Sequence, residues 1–116
     1  MEMAEINAVT LAVTDMAVSV AFYRSIGWEL AYGGPDASFT SFRVGTNFVN
    51  LNAGEGPPAG PWGRVIVHVP SPDETWQRLR DAGYEPEFAP RDAAWGERYF
   101  HVRDPDGHEL SFARRL

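Results

Sequence analysis

The sequence predicts an α+β fold made of two copies of one βαβββ module. Three observations carry this: an internal repeat without gaps, a capped helix after the first strand of each copy, and a hairpin pattern near the end of the chain. Val9-Thr10-Leu11-Ala12-Val13 lies over Val65-Ile66-Val67-His68-Val69, and the same shift pairs Arg24 with Arg80, Gly27 with Gly83, Trp28 with Tyr84 and Glu29 with Glu85. The period is too long and the copies too few for a solenoid. The expectation is a single domain, 1–116, of two related halves (6–52 and 64–114). The glycine- and proline-rich stretch 53–63, AGEGPPAGPWG, connects them.

Each half opens with a strand of period two. Val9, Leu11 and Val13 share one face and Ala8, Thr10 and Ala12 the other; Val65, Val67 and Val69 oppose Arg64, Ile66 and His68. Asp15 caps the first helix, which stops at Gly27; its apolar residues Met16, Val18, Val20, Phe22 and Ile26 nearly encircle it, predicting that it is well buried. The second helix starts with Ser71 as N-cap, Pro72 at its first position and Glu74 completing a capping box. Trp76 and Leu79 mark its inner side and Gly83 its stop. Strands are predicted at Trp28–Tyr32, Phe39–Val44 and Phe48–Asn52, then at Tyr84–Phe88, Tyr99–Arg103 and Glu109–Arg114. Asp104-Pro105-Asp106-Gly107 supplies the turn between the last two, with Pro105 pre-setting φ.

Composition narrows the function. A chain of 116 residues with 44% hydrophobic and 13% aromatic content has material for one core. The formal charge of −6 argues against nucleic acid and anionic membranes as partners. That acidity either suits a cationic ligand or is simply a soluble surface. The absence of cysteine removes disulfides, thiolate metal sites and a cysteine nucleophile. There is no Gly-x-Ser-x-Gly turn and no phosphate loop. Met1–Val9 lacks a basic segment leading into an apolar run, and no apolar run is long enough for a bilayer, so a cytoplasmic protein is expected.

The block Trp95–Phe112, WGERYFHVRDPDGHELSF, resembles the C-terminal hairpin of the vicinal oxygen chelate superfamily of glyoxalases, bleomycin-resistance proteins and extradiol dioxygenases. Val13-Thr14-Asp15 and Phe22-Tyr23-Arg24, followed by Gly27-Trp28-Glu29, are similar to that family's strand–turn–helix opening. The paired βαβββ modules agree, and the Trp-Gly ahead of the hairpin is most like the bleomycin-resistance branch. The resemblance implies sheets curled into half-barrels with helices outside and ligand on the concave face. It also implies a homodimer with clefts lined by both subunits.

Metal-dependent relatives place one ligand on each of four strands, where neutral imidazoles and carboxylates converge. The matching positions here are Ala8, the neighbourhood of Asn50, Arg64 and Ser111. None offers the expected donor, so the expectation is no metal and no cofactor. By strand parity and loop position the candidate ligand-binding residues are Thr10, Phe39, Asn50, Asn52, Trp62, Arg64, His68, Trp95, Tyr99, His101 and Ser111. Ser41 shares their face. Arg64 either anchors an anionic ligand group or pairs with an acid across the sheet. His101 reads as a hydrogen-bonded sheet residue and His108 as an exposed turn residue. The favoured function is a metal-free protein that sequesters a drug or metabolite. The alternative is a divergent lyase, isomerase or dioxygenase using His68, His101, Tyr99 and Glu109, with a relocated metal or none.

Overall fold

Local chemistry sets the helix ends. In the computed structural model, which describes residues 6–54 and 64–116, the Asp15 carboxylate accepts from the Val18 amide at 3.2 Å and starts α1 (Met16–Ser25). The Ser71 hydroxyl accepts from the Glu74 amide at 3.1 Å and starts α2 (Pro72–Asp81). Glu74 turns its carboxylate to Arg78, 3.5 Å away and one helical turn on. At the end of α2, Tyr84 N–H bonds Leu79 C=O and Gly83 N–H bonds Arg80 C=O, a Schellman closure that requires the positive φ of Gly83, 92°.

The chain divides into two compact units, Met1–Ala59 and Gly60–Leu116. The first contains β1 (Ala8–Ala12), α1, β2 (Glu29–Tyr32), β3 (Phe39–Val44) and β4 (Asn47–Asn52), with strand order β1-β4-β3-β2. The second contains β5 (Arg64–His68), α2, β6 (Arg91–Asp92), β7 (Glu97–Arg103) and β8 (Glu109–Arg115), in order β5-β8-β7-β6. The outer pairs β1/β4 and β5/β8 are parallel; the other neighbours are antiparallel. Each unit is thus an open four-stranded sheet of the α+β half-barrel type, not a closed barrel.

Strand alternation sends one face of each sheet to its helix. In the first unit Leu11, Phe42 and Leu51 are fully buried there, with Tyr23 of α1 packed 5.9 Å from Phe42 and stacked 5.1 Å from Trp28. In the second, Phe100, Val102, Leu110 and Phe112 form that face under Leu79, the two phenylalanine rings stacked at 5.4 Å. Arg98 ties this side together, its guanidinium forking onto Asp73 of α2 at 2.7 and 2.8 Å and reaching Asp92 of β6 at 3.1 Å. Burying so many apolar side chains is the dominant stabilising term in each unit. No helix among the described residues is long and apolar enough to cross a membrane.

Three expectations are corrected. Residues 84–88 do not form a strand; the pairing falls to Arg91–Asp92. Pro86 and Pro90 carry no N–H, so a regular ladder through this stretch is impossible, and only Glu87 N–H reaches His101 C=O, at 3.0 Å. Helix α1 is less buried than its encircling apolar residues predict: Ser19 is fully buried whereas Val18 is 48% exposed. Finally, His108 is buried, not exposed, because the Asp104 carboxylate accepts from the amides of Asp106 and His108 and folds the turn inward.

Candidate ligand-binding faces

The face opposite the helix in each sheet is open and carries the sequence-predicted residues. In the first unit Thr10, Asn50 and Ser41 lie in one cross-strand row, and Ala12, Asn52 and Phe39 in the next. Asn50 donates its amide to the Thr10 hydroxyl at 3.2 Å, and Asn52 accepts from the Gly54 amide. Phe39 lies 6.5 Å from the ring of exposed Tyr32. On this face Arg43, registered opposite Glu29, holds its guanidinium over the Phe48 ring at 5.1 Å. Trp62 lies outside the described residues.

The second unit brings together Arg64, His68, Tyr99, His101 and Ser111, with Trp95 in the turn before β7. Arg64 forms an ion pair with Glu109 at 3.0 Å, across the β5–β8 ladder. The Arg64 guanidinium holds the Glu109 carboxyl below the usual carboxylate range. His68 contacts the Glu97 carboxylate at 3.0 Å through Nε2, and the other Glu97 oxygen accepts from the Trp95 indole at 2.9 Å.

His101 and Ser111 form the centre. Ser111 is only 4% exposed, and its Oγ lies 2.6 Å from His101 Nδ1. Burial, and then the positive charge of Arg64, holds the imidazole below its ordinary pKa, so the ring is neutral at pH 7. A buried hydroxyl proton needs an acceptor, and Nδ1 is the one it meets among the described residues. The ring proton is therefore assigned to Nε2, making that nitrogen a donor on the open face.

Aromatic groups surround this pair. Phe88 meets Tyr99 and His101 edge-on at 5.5 and 5.2 Å, Tyr99 lies 5.1 Å from His101, and the exposed Trp95 ring lies 5.1 Å from Tyr99. Arg91 lies over Phe88 at 3.9 Å and donates to the Tyr99 hydroxyl. Sequence reasoning missed Phe88, Arg91 and Glu97. For the first two the signal was present in Pro86 and Pro90, which take the chain out of the ladder before β6.

The positions where family metal ligands fall do not fit a metal. Ala8 has no donor atom, Asn50 is bonded to Thr10, Arg64 is a cation paired with Glu109, and Ser111 is bonded to His101. Among the described residues no three His, Asp or Glu side chains converge on one point.

Two open sheets of this topology, each backed by one helix, define a recognisable class of fold. The family model of the Glyoxalase/Bleomycin resistance protein/Dioxygenase superfamily matches residues 5–112, and the chain belongs to that superfamily. Among solved structures it is similar to TioX from Micromonospora sp. ML1, with 29% identity, a TM-score of 0.78, and coverage of 97% of this chain and 100% of that one. It shares its fold with the bleomycin resistance determinant encoded on transposon Tn5 (20% identity, TM-score 0.75, coverage 97% and 98%). The same holds for a lactoylglutathione lyase from Agrobacterium tumefaciens (20% identity, TM-score 0.75, coverage 97% and 94%). No curated protein matches the chain.

Proposed function

We propose that this chain binds a planar organic small molecule on the open faces of its sheets and holds it without chemical change, independently of any metal. The observation that carries this reading is the ring cluster of Phe88, Trp95, Tyr99 and His101 on a face whose metal-ligand positions are occupied by other pairings. Flat rings contribute apolar area and stacking on the second unit's face, where Ser111 adds a polar group, and on the first unit's own face Thr10, Asn50 and Asn52 supply polar groups that orient a ligand. Phe39, Arg64 and His68 complete the set, with Trp62 assigned from sequence. We place the protein in the cytoplasm as a single domain of two modules, working as a homodimer; the bleomycin resistance determinant that shares the fold is the precedent for a drug-directed role.

The test is incubation of the purified protein with a library of planar drugs and metabolites, followed by native mass spectrometry. Retention of an unaltered ligand, lost on Trp95→Ala, supports the proposal. Turnover of that ligand overturns it in favour of the enzyme reading. A specific observation favours that second reading: the unprotonated Nδ1 of His101 accepts from the Ser111 hydroxyl, as a base beside a hydroxyl nucleophile does.

A further inference from the structure

Charge on the second unit's open face is mostly cancelled within the protein. Arg64 is matched by Glu109, His68 meets Glu97, and Arg103 lies 3.8 Å from Glu87. Among the described residues Arg91 has no carboxylate partner, nor has Arg115 at the far end of β8, but of the two Arg91 is the one stacked on the ring cluster. For Arg91 the reason is strand alternation. Arg91 is registered with Tyr99 and Asp92 with Arg98, so the neighbouring acid is turned to the helix side, where it joins Asp73 on the Arg98 fork.

Although exposed, Arg91 is fixed in place. Its guanidinium stacks on Phe88 at 3.9 Å and lies 5.6 Å from the Tyr99 ring centre, and its Nη2 and Nε donate to the Tyr99 hydroxyl at 3.2 and 3.4 Å. Five N–H donors are available to an arginine, and these contacts leave all of Nη1 uncommitted. The Tyr99 hydroxyl accepts from Arg91, but its own proton meets no acceptor among the described residues. His101 Nε2, the protonated nitrogen of the neutral ring, likewise meets none. A guanidinium, a phenol O–H and an imidazole N–H thus border one ring cluster, each with donor capacity left over.

From this juxtaposition we infer that the ligand carries an anionic group, a carboxylate or a phosphate, attached to its flat ring, and that Arg91 with Tyr99 is its anchor. The inference rests on the binding reading above and specifies the ligand class. It runs against the −6 charge of the whole chain, because the local field at this face is set by the nearest uncompensated cation rather than by distant, screened carboxylates. A pinned guanidinium loses little freedom on meeting an oxyanion and offers it two parallel hydrogen bonds. Trp95, 66% exposed beside Tyr99, supplies the surface on which the attached ring stacks.

Calorimetric titration of the full chain with 1-naphthoate, 1-naphthyl phosphate and uncharged 1-naphthylmethanol tests this. At least one anion is expected to bind about tenfold tighter than the alcohol, a preference that shrinks with added salt. Comparing the two anions distinguishes carboxylate from phosphate recognition. Arg91→Gln is expected to remove the preference for the anion over the alcohol, and Arg91→Lys, which keeps the charge without the planar fork, to retain part of it; an unchanged circular-dichroism spectrum shows that the fold survives the change. Tyr99→Phe, which keeps the ring, removes part of the preference. Equal binding of all three probes by the wild type, or a preference that survives Arg91→Gln, overturns the anion anchor while leaving the binding reading intact. Binding of none defeats the planar-ligand reading, and the anchor with it.

Discussion

Thr40→Val isolates one polar device that holds the first unit's open face in shape. Thr40 is fully buried on the helix side of β3, and its hydroxyl clamps the backbone on both sides of one residue: it accepts from Gly34 N–H at 3.0 Å and donates to Gly34 C=O at 3.1 Å. Valine matches threonine in volume and strand preference, so the change opens no cavity and the hydrogen bonds alone are lost. The carbonyl keeps a second bond, from the Ala37 amide at 3.1 Å, whereas the buried Gly34 N–H is left with no acceptor. An orphaned buried donor costs about 1–3 kcal/mol, and with one group orphaned rather than two the expected loss is about 2 kcal/mol. With a urea slope of roughly 2 kcal/mol/M, the unfolding midpoint should fall by about 1 M at unchanged slope. The loop it clamps joins Tyr32 to Phe39, so affinity for a ligand touching Phe39 should fall as well. A midpoint within about 0.3 M of wild type would show that the Gly34 amide finds another partner, and that the clamp is not what fixes the loop.

Gly33→Ala should destabilise the same unit at least as strongly, because a Cβ there would land on the Phe39 carbonyl oxygen and the φ of 79° is strained for any other residue; chemical denaturation checks this. His101 should titrate below 6.5 by NMR, held there by burial first and the Arg64 charge second. Because the unfolded chain takes up this proton before the folded one does, stability should fall as pH drops below about 6.5, down to the folded pKa, and His101→Gln should flatten that slope. Asp73 is held below 3.8, chiefly by its hydrogen bond to Arg98, so its contribution is present above the unfolded pKa and lost as pH falls through the folded one. Arg98→Gln should therefore raise the acid-unfolding midpoint in a circular-dichroism titration.

What could be read from the chain depended on how local the physics was. Asp15, Ser71 and Gly83 act within one turn of their own positions, and all three did what their residue types require. The turn at Asp104–Gly107 is equally local, yet the burial of His108 follows from one carboxylate accepting two amides, which alternation cannot register. Tyr84, Pro86 and Phe88 mimic period-two spacing, but two prolines outweigh that pattern through their missing N–H groups. For α1, apolar residues nearly all round left its rotation undetermined until the sheet chose Ser19 over Val18. The candidate site was legible as a face rather than as a set of partners. Parity put Arg64, His68, Tyr99, His101 and Ser111 on one side of the sheet. Pairing Arg64 with Glu109, and leaving Arg91 without an acid among the described residues, depended on cross-strand register that no single strand encodes.

The account stands most directly on metal independence, since every family ligand position is committed elsewhere or lacks a donor. Thermal unfolding of chelator-treated protein across Mn²⁺, Fe²⁺, Co²⁺, Ni²⁺ and Zn²⁺ measures it, because an ion bound selectively by the folded state raises the midpoint by mass action. The expected result is no saturable rise with any ion. A saturable rise with one ion, abolished by His101→Gln or Glu109→Gln, would contradict the account and put metal-assisted catalysis in place of sequestration.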